Sequence, residues 1–311
     1  MQVLVVCPAK FATGGTEALH YFTNQLNQID GVDAYMWYWG DTSGDPCADA
    51  FKGYGCKYVK ELPDDFDGVI VFPEIWANET LRHTGCTRAI WWLGIDAYAN
   101  WTAPGECGAF LDDDSIIHLA QSEYALDFLR KVGCKQIFKL DDIVNPDYYA
   151  DYQEETRNNV VLYNPAKATQ FMAKIIAACP GVEFKPITNM TRAQVIDTMR
   201  HSKLYIDFGE FPGRERMPRE AALCGCCLIT SKIGAAAYLK DFAHDYKYDM
   251  KDGHVWAIVR KIRYVLDNYD ECKKDFDTFR DSLREDIQRI PKQVKQITGV
   301  FNEVQHNHSG I

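Results

Sequence analysis

Apolar positions along the chain fall into short β-rich runs separated by stretches with a helical repeat. Gln2–Cys7 (QVLVVC), Ala34–Trp39, Gly68–Phe72 (GVIVF), Arg88–Leu93 (RAIWWL) and Ser115–Ala120 (SIIHLA) read as strands. Helical spacing covers Thr16–Gln28 and Ser122–Val132. The pattern then restarts. Asn159–Tyr163 (NVVLY), Val182–Pro186, Lys203–Phe208 (KLYIDF) and Cys226–Ser231 read as strands, with helices over Ala168–Ala178, Arg192–Arg200 and Arg219–Cys224. Strands alternating with helices predict βαβ units and parallel sheets, hence an α/β fold. Asp142–Arg157, rich in Asp, Asn, Pro and Tyr, reads as a linker. The expected organisation is one domain over 1–150, a second over 151–290, and a C-terminal helix and tail over 291–311. From Val255 the chain reads as charged helix broken by Pro291. Two such domains in tandem leave a cleft between the carboxyl ends of their strands, where ligands bind.

A length of 311 residues suits that division. With 47% hydrophobic and 25% charged residues the composition is that of a globular protein. The formal net charge of -10 argues against non-specific binding to nucleic acid. An anionic ligand would therefore need a local cluster of arginine or lysine. The 11 cysteines follow no repeating spacing and many sit in apolar runs, which suits buried, reduced thiols and a cytoplasmic location. Cys224, Cys226 and Cys227 have no second Cys/His pair at ligand spacing and read as packing. MQVLVVCPA lacks a charged leader and reads as a first strand. No apolar run is long enough to cross a bilayer.

Three stretches carry candidate chemistry. Thr13-Gly14-Gly15-Thr16-Glu17 follows the first strand and opens the first helix, where glycines allow close approach and free N–H groups face an anion. It is not the G-x-G-x-x-G of dinucleotide enzymes. The second stretch, Asp207–Thr230 (DFGEFPGRERMPREAALCGCCLIT), gathers Arg214, Arg216 and Arg219 after a Pro-Gly turn and ahead of a short helix. Guanidinium forks and a helix N-terminus together invite a phosphate. Glu210, Glu215 and Glu220 would hold sugar or ribose hydroxyls, or pair with those arginines in a surface network. In the third, Glu74 and Asp96 each follow a strand and are candidates for a general base or an acceptor-hydroxyl contact. Trp91 and Trp92 read as core. Trp76, Tyr98 and Trp101 fall on loops, where they would stack on a sugar or cap the sheet. Asp112-Asp113-Asp114 precedes a strand rather than following one and reads as a loop, and His118 reads as buried.

The GGTE helix start, the second Rossmann-like half and "REAALCGCCLIT" together resemble the GT-B glycosyltransferases, in particular the family 4-like group. Glu220, Ala221, Gly225 and Ile229 match that group's "E-A-(apolar)-x-x-G-x-(apolar)-(apolar)-I". The chain is also similar to a bacterial group of polysaccharide-cluster proteins, through Tyr163-Asn164-Pro165, Lys167, Asp207-Phe208-Gly209 and Trp91–Asp96. The resemblance implies two Rossmann-like βαβ domains facing each other across a cleft, with C-terminal helices. It implies sugar transfer from a nucleotide-sugar donor to a hydroxyl of a glycan or lipid-linked acceptor, without a metal or other cofactor. Peripheral membrane contact is left open. By the same resemblance Gly14 and Gly15 meet the donor diphosphate, Lys167 stands where the family has a phosphate-binding cation, and Glu220 holds the ribose; Asn164, Arg214 and Arg216 complete the expected donor site. Glu74, Asp96 and Glu210 are the candidate catalytic carboxylates. The sequence departs from the family's E-x7-E motif, since Pro212 stands where the first glutamate belongs and the nearest acid is Glu210. That departure motivates one rival reading, a binding or scaffold protein that has lost transfer; a second rival is another nucleotide-sugar enzyme such as an epimerase, which would need a base near the sugar.

Overall fold

The computed structural model describes residues 1–96, 98, 108–150, 156–167 and 169–309. These form two compact units, one of Met1–Ile143 with Asp286–Ile311 and the other of Val144–Glu285.

The first unit is built on a parallel sheet of β1 (Gln2–Pro8), β2 (Asp33–Trp39), β3 (Tyr58–Val59), β4 (Val69–Pro73), β5 (Thr87–Trp92), β6 (Ile117–Ala120) and β7 (Gln136–Lys139). Its order is β3-β2-β1-β4-β5-β6-β7. The direction of winding reverses between β1 and β4, the Rossmann arrangement. β4, β5 and β6 are buried at every position, as strands covered on both faces must be. Leu4, Val6, Trp37, Ile70 and Phe72 fill one layer of the core, and Ile90, Trp92, Phe110 and Leu129 belong to another.

Helices begin where the sequence supplies caps. Thr13 opens the helix Gly14–Leu26 with a reciprocal capping box to Thr16, and Ser122 caps Glu123–Val132 through the Ala125 N–H at 3.0 Å. The last helix, Asp277–Ser309, runs through Pro291 without a break. Its turns beyond Asp286 belong to the first unit, where Ile290, Val294, Ile297 and Phe301 are buried. Asp141, just past β7, accepts hydrogen bonds from Arg289 at 3.1 Å and Gln293 at 3.0 Å and fixes that helix to the sheet.

The second unit holds a parallel sheet of β8 (Asn158–Tyr163), β9 (Glu183–Pro186), β10 (Ser202–Asp207), β11 (Cys227–Ser231) and β12 (Lys247–Tyr248), ordered β12-β11-β10-β8-β9. Here the switch point lies between β8 and β10. Thr169 caps the helix Gln170–Ala178, and Thr191 with Gln194 forms a capping box on Arg192–Arg200. The helix Arg216–Leu223 closes at Gly225, in the left-handed region at φ 90°. Among the described residues no helix is long and apolar enough to cross a membrane.

Candidate active site

Ligands of open α/β sheets bind beyond the carboxyl ends of the strands at the switch point. In the second unit that point is flanked by the turn Pro165–Lys167 after β8 and by residues 208–215 after β10. Asn164 orders the first loop, its side-chain oxygen accepting the Ala166 N–H at 3.0 Å. Gly209 is where the two loops meet. A Cβ there would lie 3.0 Å from the Lys167 Cβ and 3.1 Å from an Asp207 carboxylate oxygen. Lys167 forms an ion pair with Glu215, which occupies the N-cap position of Arg216–Leu223 without capping it. Phe211 is buried and its carbonyl accepts the Ala235 N–H at 2.8 Å, locking the loop after β10 to the loop after β11.

Asp207 ends β10 beneath these loops. Burial pushes its carboxyl up to about 6, against the Gly209 N–H at 2.9 Å, the Lys167 charge and the Tyr205 hydroxyl at 3.1 Å, which favour the anion. Of the three arginines, Arg219 turns inward. It is fully buried and donates to the main-chain carbonyls of Glu215 and Arg214, so it holds the loop rather than facing a ligand. Arg214 is buried and Arg216 half-buried. The helix starts at Arg216, so Glu220 stands in its second turn rather than its first. There Glu220 is half-buried and bonded to the Tyr148 hydroxyl. Glu210 is exposed.

In the first unit the switch point lies between β1 and β4. The helix after β1 begins at Gly14, so both glycines sit in its first turn, where N–H groups have no acceptor within the helix. A Cβ on Gly15 would lie 3.7 Å from the Leu93 side chain, and the Leu93 N–H donates to Glu74 at 3.1 Å. The GGTE turn and Glu74 are therefore brought side by side. Burial raises the Glu74 carboxyl to about 7, against N–H donors that include Leu93 and Gly94. Asp96 accepts the Tyr124 hydroxyl at 3.0 Å.

The aromatics divide. Trp91 and Trp92 are buried, donating to the Leu140 carbonyl at 3.0 Å and to His118 at 3.1 Å. Tyr98 is buried as well, with its ring 5.4 Å from Trp92 and 5.6 Å from Phe110, so it is core and not a stacking face. Trp76 packs on Trp39. Trp101 lies outside the described residues. His118 is buried and pushed down to about 4 by burial. Asp113 pairs with Arg88 at 3.1 Å and belongs to a structural network. Cys224, Cys226 and Cys227 are buried free thiols. Tyr148 was missed from sequence, because it precedes β8 in the expected linker and no local motif ties it to Glu220.

No protein-family model and no curated protein matches the chain. Solved structures do. A glycosyltransferase from Rickettsia africae ESF-5 aligns with a TM-score of 0.71 at 11% identity, covering 97% of this chain and 98% of that one. Sucrose-phosphate synthase from Thermosynechococcus elongatus gives the same TM-score, identity and coverage. Anabaena HepE in complex with UDP-glucose aligns at a TM-score of 0.63 and 12% identity over 100% of both chains. The fold is GT-B. Its two Rossmann-like units are the seven- and five-stranded sheets described above, with C-terminal helices.

Proposed function

We propose that this GT-B protein is a glycosyltransferase that moves a sugar from a nucleoside-diphosphate donor to a hydroxyl of a glycan or lipid-linked acceptor. The observation that carries this reading is the β8/β10 switch point. There Lys167, Glu215 and the start of Arg216–Leu223 meet on a fold whose solved relative HepE is in complex with UDP-glucose. Sugar transfer breaks the anomeric C–O bond to the diphosphate and forms one to the acceptor oxygen. Charge builds on the departing diphosphate, so fixed cations at that place stabilise the transition state most. Lys167, Arg214 and Arg216 take that role without a metal, Asn164 orders their loop, and Glu220 with Tyr148 holds the ribose. Gly14 and Gly15 offer N–H groups to the diphosphate. A carboxylate accepts the acceptor's proton, and Glu74 fits best because its pKa near neutrality matches a base working near neutral pH; Asp96 and Glu210 hold acceptor hydroxyls. Polysaccharide assembly on the cytoplasmic side, in peripheral contact with the membrane, suits such an acceptor.

The test is a thermal-shift screen against UDP, GDP, CDP, ADP and TDP with and without magnesium. One nucleotide at a hundredfold excess over its Kd should raise stability by about 2.7 kcal/mol, equally in both conditions. No shift with any nucleotide would overturn the reading. Binding without transfer to any acceptor would favour the scaffold that Pro212, in place of the expected glutamate, suggests.

A further inference from the structure

The opposite, amino-terminal edge of the second sheet holds a cavity of about 570 Å³. Arg157 stands just before β8, Lys203 at the start of β10 and Gly225 just before β11, and the segment 269–280 closes the other side. Strands of six residues at about 3.3 Å each put this edge roughly 20 Å from the donor loops. Five cationic side chains line the cavity against the two carboxylates of Asp270 and Asp277. Asp270 pairs with Lys273 at 3.2 Å and Asp277 with Arg280 at 2.7 Å, and an anion in the cavity would relieve the mutual repulsion of the positive charge left over.

The cations are held in place by the protein. Arg157 donates to the carbonyls of Met199 at 3.1 Å, Ser202 at 2.7 Å and Cys224 at 2.5 Å, and its charge lies 5.4 Å from the Tyr269 ring centroid. Lys203 is anchored on Asn159 at 2.6 Å and the Leu266 carbonyl at 2.8 Å. Arg280 is buried, with Nη2 bound to the Lys273 carbonyl and to Asp277 at 2.7 Å. Its Nη1 has no hydrogen-bond partner. An unsatisfied buried guanidinium N–H costs about 1–3 kcal/mol or more, and the charge of Arg280 adds to the positive field in the cavity. Lys274 is exposed at the rim.

We propose that this cavity is a second anion site that binds the phosphate group of a phosphorylated ligand, separate from the donor nucleotide. Phosphate fits because it is acceptor-only and multiply charged, and the cavity has room for a substituent beyond it. Inorganic phosphate and pyrophosphate are the probes, titrated calorimetrically against chloride of matched ionic strength. Saturable binding is expected, falling roughly tenfold or more in Lys273→Gln/Lys274→Gln, while UDP binding stays unchanged. Arg280→Lys should weaken phosphate as well; if that variant fails to fold, the lysine pair carries the test alone. Arg216→Gln should leave phosphate binding intact, which separates this site from the donor site. Sedimentation with phosphatidylcholine vesicles, with and without phosphatidate, then distinguishes the source. Capture by phosphatidate that the lysine pair abolishes names a lipid headgroup, and phosphate binding without capture names a soluble phosphorylated compound. Non-saturable titration, or equal affinity in wild type and the lysine pair, would overturn the site.

Discussion

The Glu74 carboxylate has lost its water and gained the N–H groups of Leu93 and Gly94, and its rise to about 7 shows that lost hydration outweighs those donors. A folded pKa above the ordinary value near 4.5 means the folded state holds the proton more tightly. The stability this contributes is therefore complete below about pH 4.5 and is lost as pH rises through about 7, a swing on the order of 3 kcal/mol. Glu74→Gln should flatten stability across that window in urea unfolding followed at several pH values. If Glu74 is the base, transfer by the wild type should rise as pH climbs through about 7, and the variant should lose that limb together with most of its rate. A second residue-scale case is Gly234, whose φ is 53° and where a Cβ would lie 2.0 Å from the Phe211 carbonyl oxygen. Because that carbonyl ties the loop after β10 to the loop after β11, Gly234→Ala must displace the donor loop. It should cost more than about 1 kcal/mol of stability and weaken nucleotide binding, both visible in one thermal-shift titration. An unchanged nucleotide affinity would show that the displacement stops short of the site.

Among the elements, the helix Arg216–Leu223 starts without a side-chain cap, because Glu215 spends its carboxylate on Lys167 while Arg219 ties down the preceding carbonyls. A diphosphate arriving at Lys167 competes with Glu215. Lys167→Ala should therefore weaken UDP binding by about ten- to a hundredfold, and Glu215→Gln should leave it equal or tighter. Losses of similar size in both variants would mean that the pair serves to order the loop. This arrangement was only half legible in the sequence. The density of charge around the Pro-Gly turn was visible, but chain order cannot say which arginine faces inward, since that depends on carbonyls brought near by the turn. The strands show a parallel limit. The well-buried central strands were readable as apolar runs, whereas β3, β7 and β12 were not. All three lie at sheet edges, where a short or half-buried strand needs little apolar pattern. Tyr98 is open in sequence between stacking on a sugar and capping the sheet, for a related reason. Its neighbours in sequence look like a loop, and only the packing of Trp92 and Phe110 makes it core.

For the whole molecule, the C-terminal segment is a structural part of the first unit. Charge dominates its sequence, and Pro291 argues for a break, yet the proline is absorbed within one continuous helix. Its buried stripe explains why the helix persists: Ile290, Val294, Ile297 and Phe301 recur at spacings of three and four and are all nearly inaccessible. Each such side chain contributes about 1.5–3 kcal/mol by burial, enough together to outweigh a proline's cost of roughly 3 kcal/mol. The same helix supplies its own control, because Ile287 is 46% exposed while Phe301 is 0%. Phe301→Ala should therefore cost about 3–5 kcal/mol and lower the unfolding midpoint of the first unit, while Ile287→Ala should stay within about 0.5 kcal/mol of wild type. Guanidinium unfolding followed by near-ultraviolet circular dichroism is suited to this test, since the first unit holds Trp37, Trp91 and Trp92 in its core. Similar small effects from both substitutions would mean that the segment rests on the sheet without being part of its core, held by polar contacts such as those of Asp141 with Arg289 and Gln293 and of Gln305 with the Asp67 carbonyl.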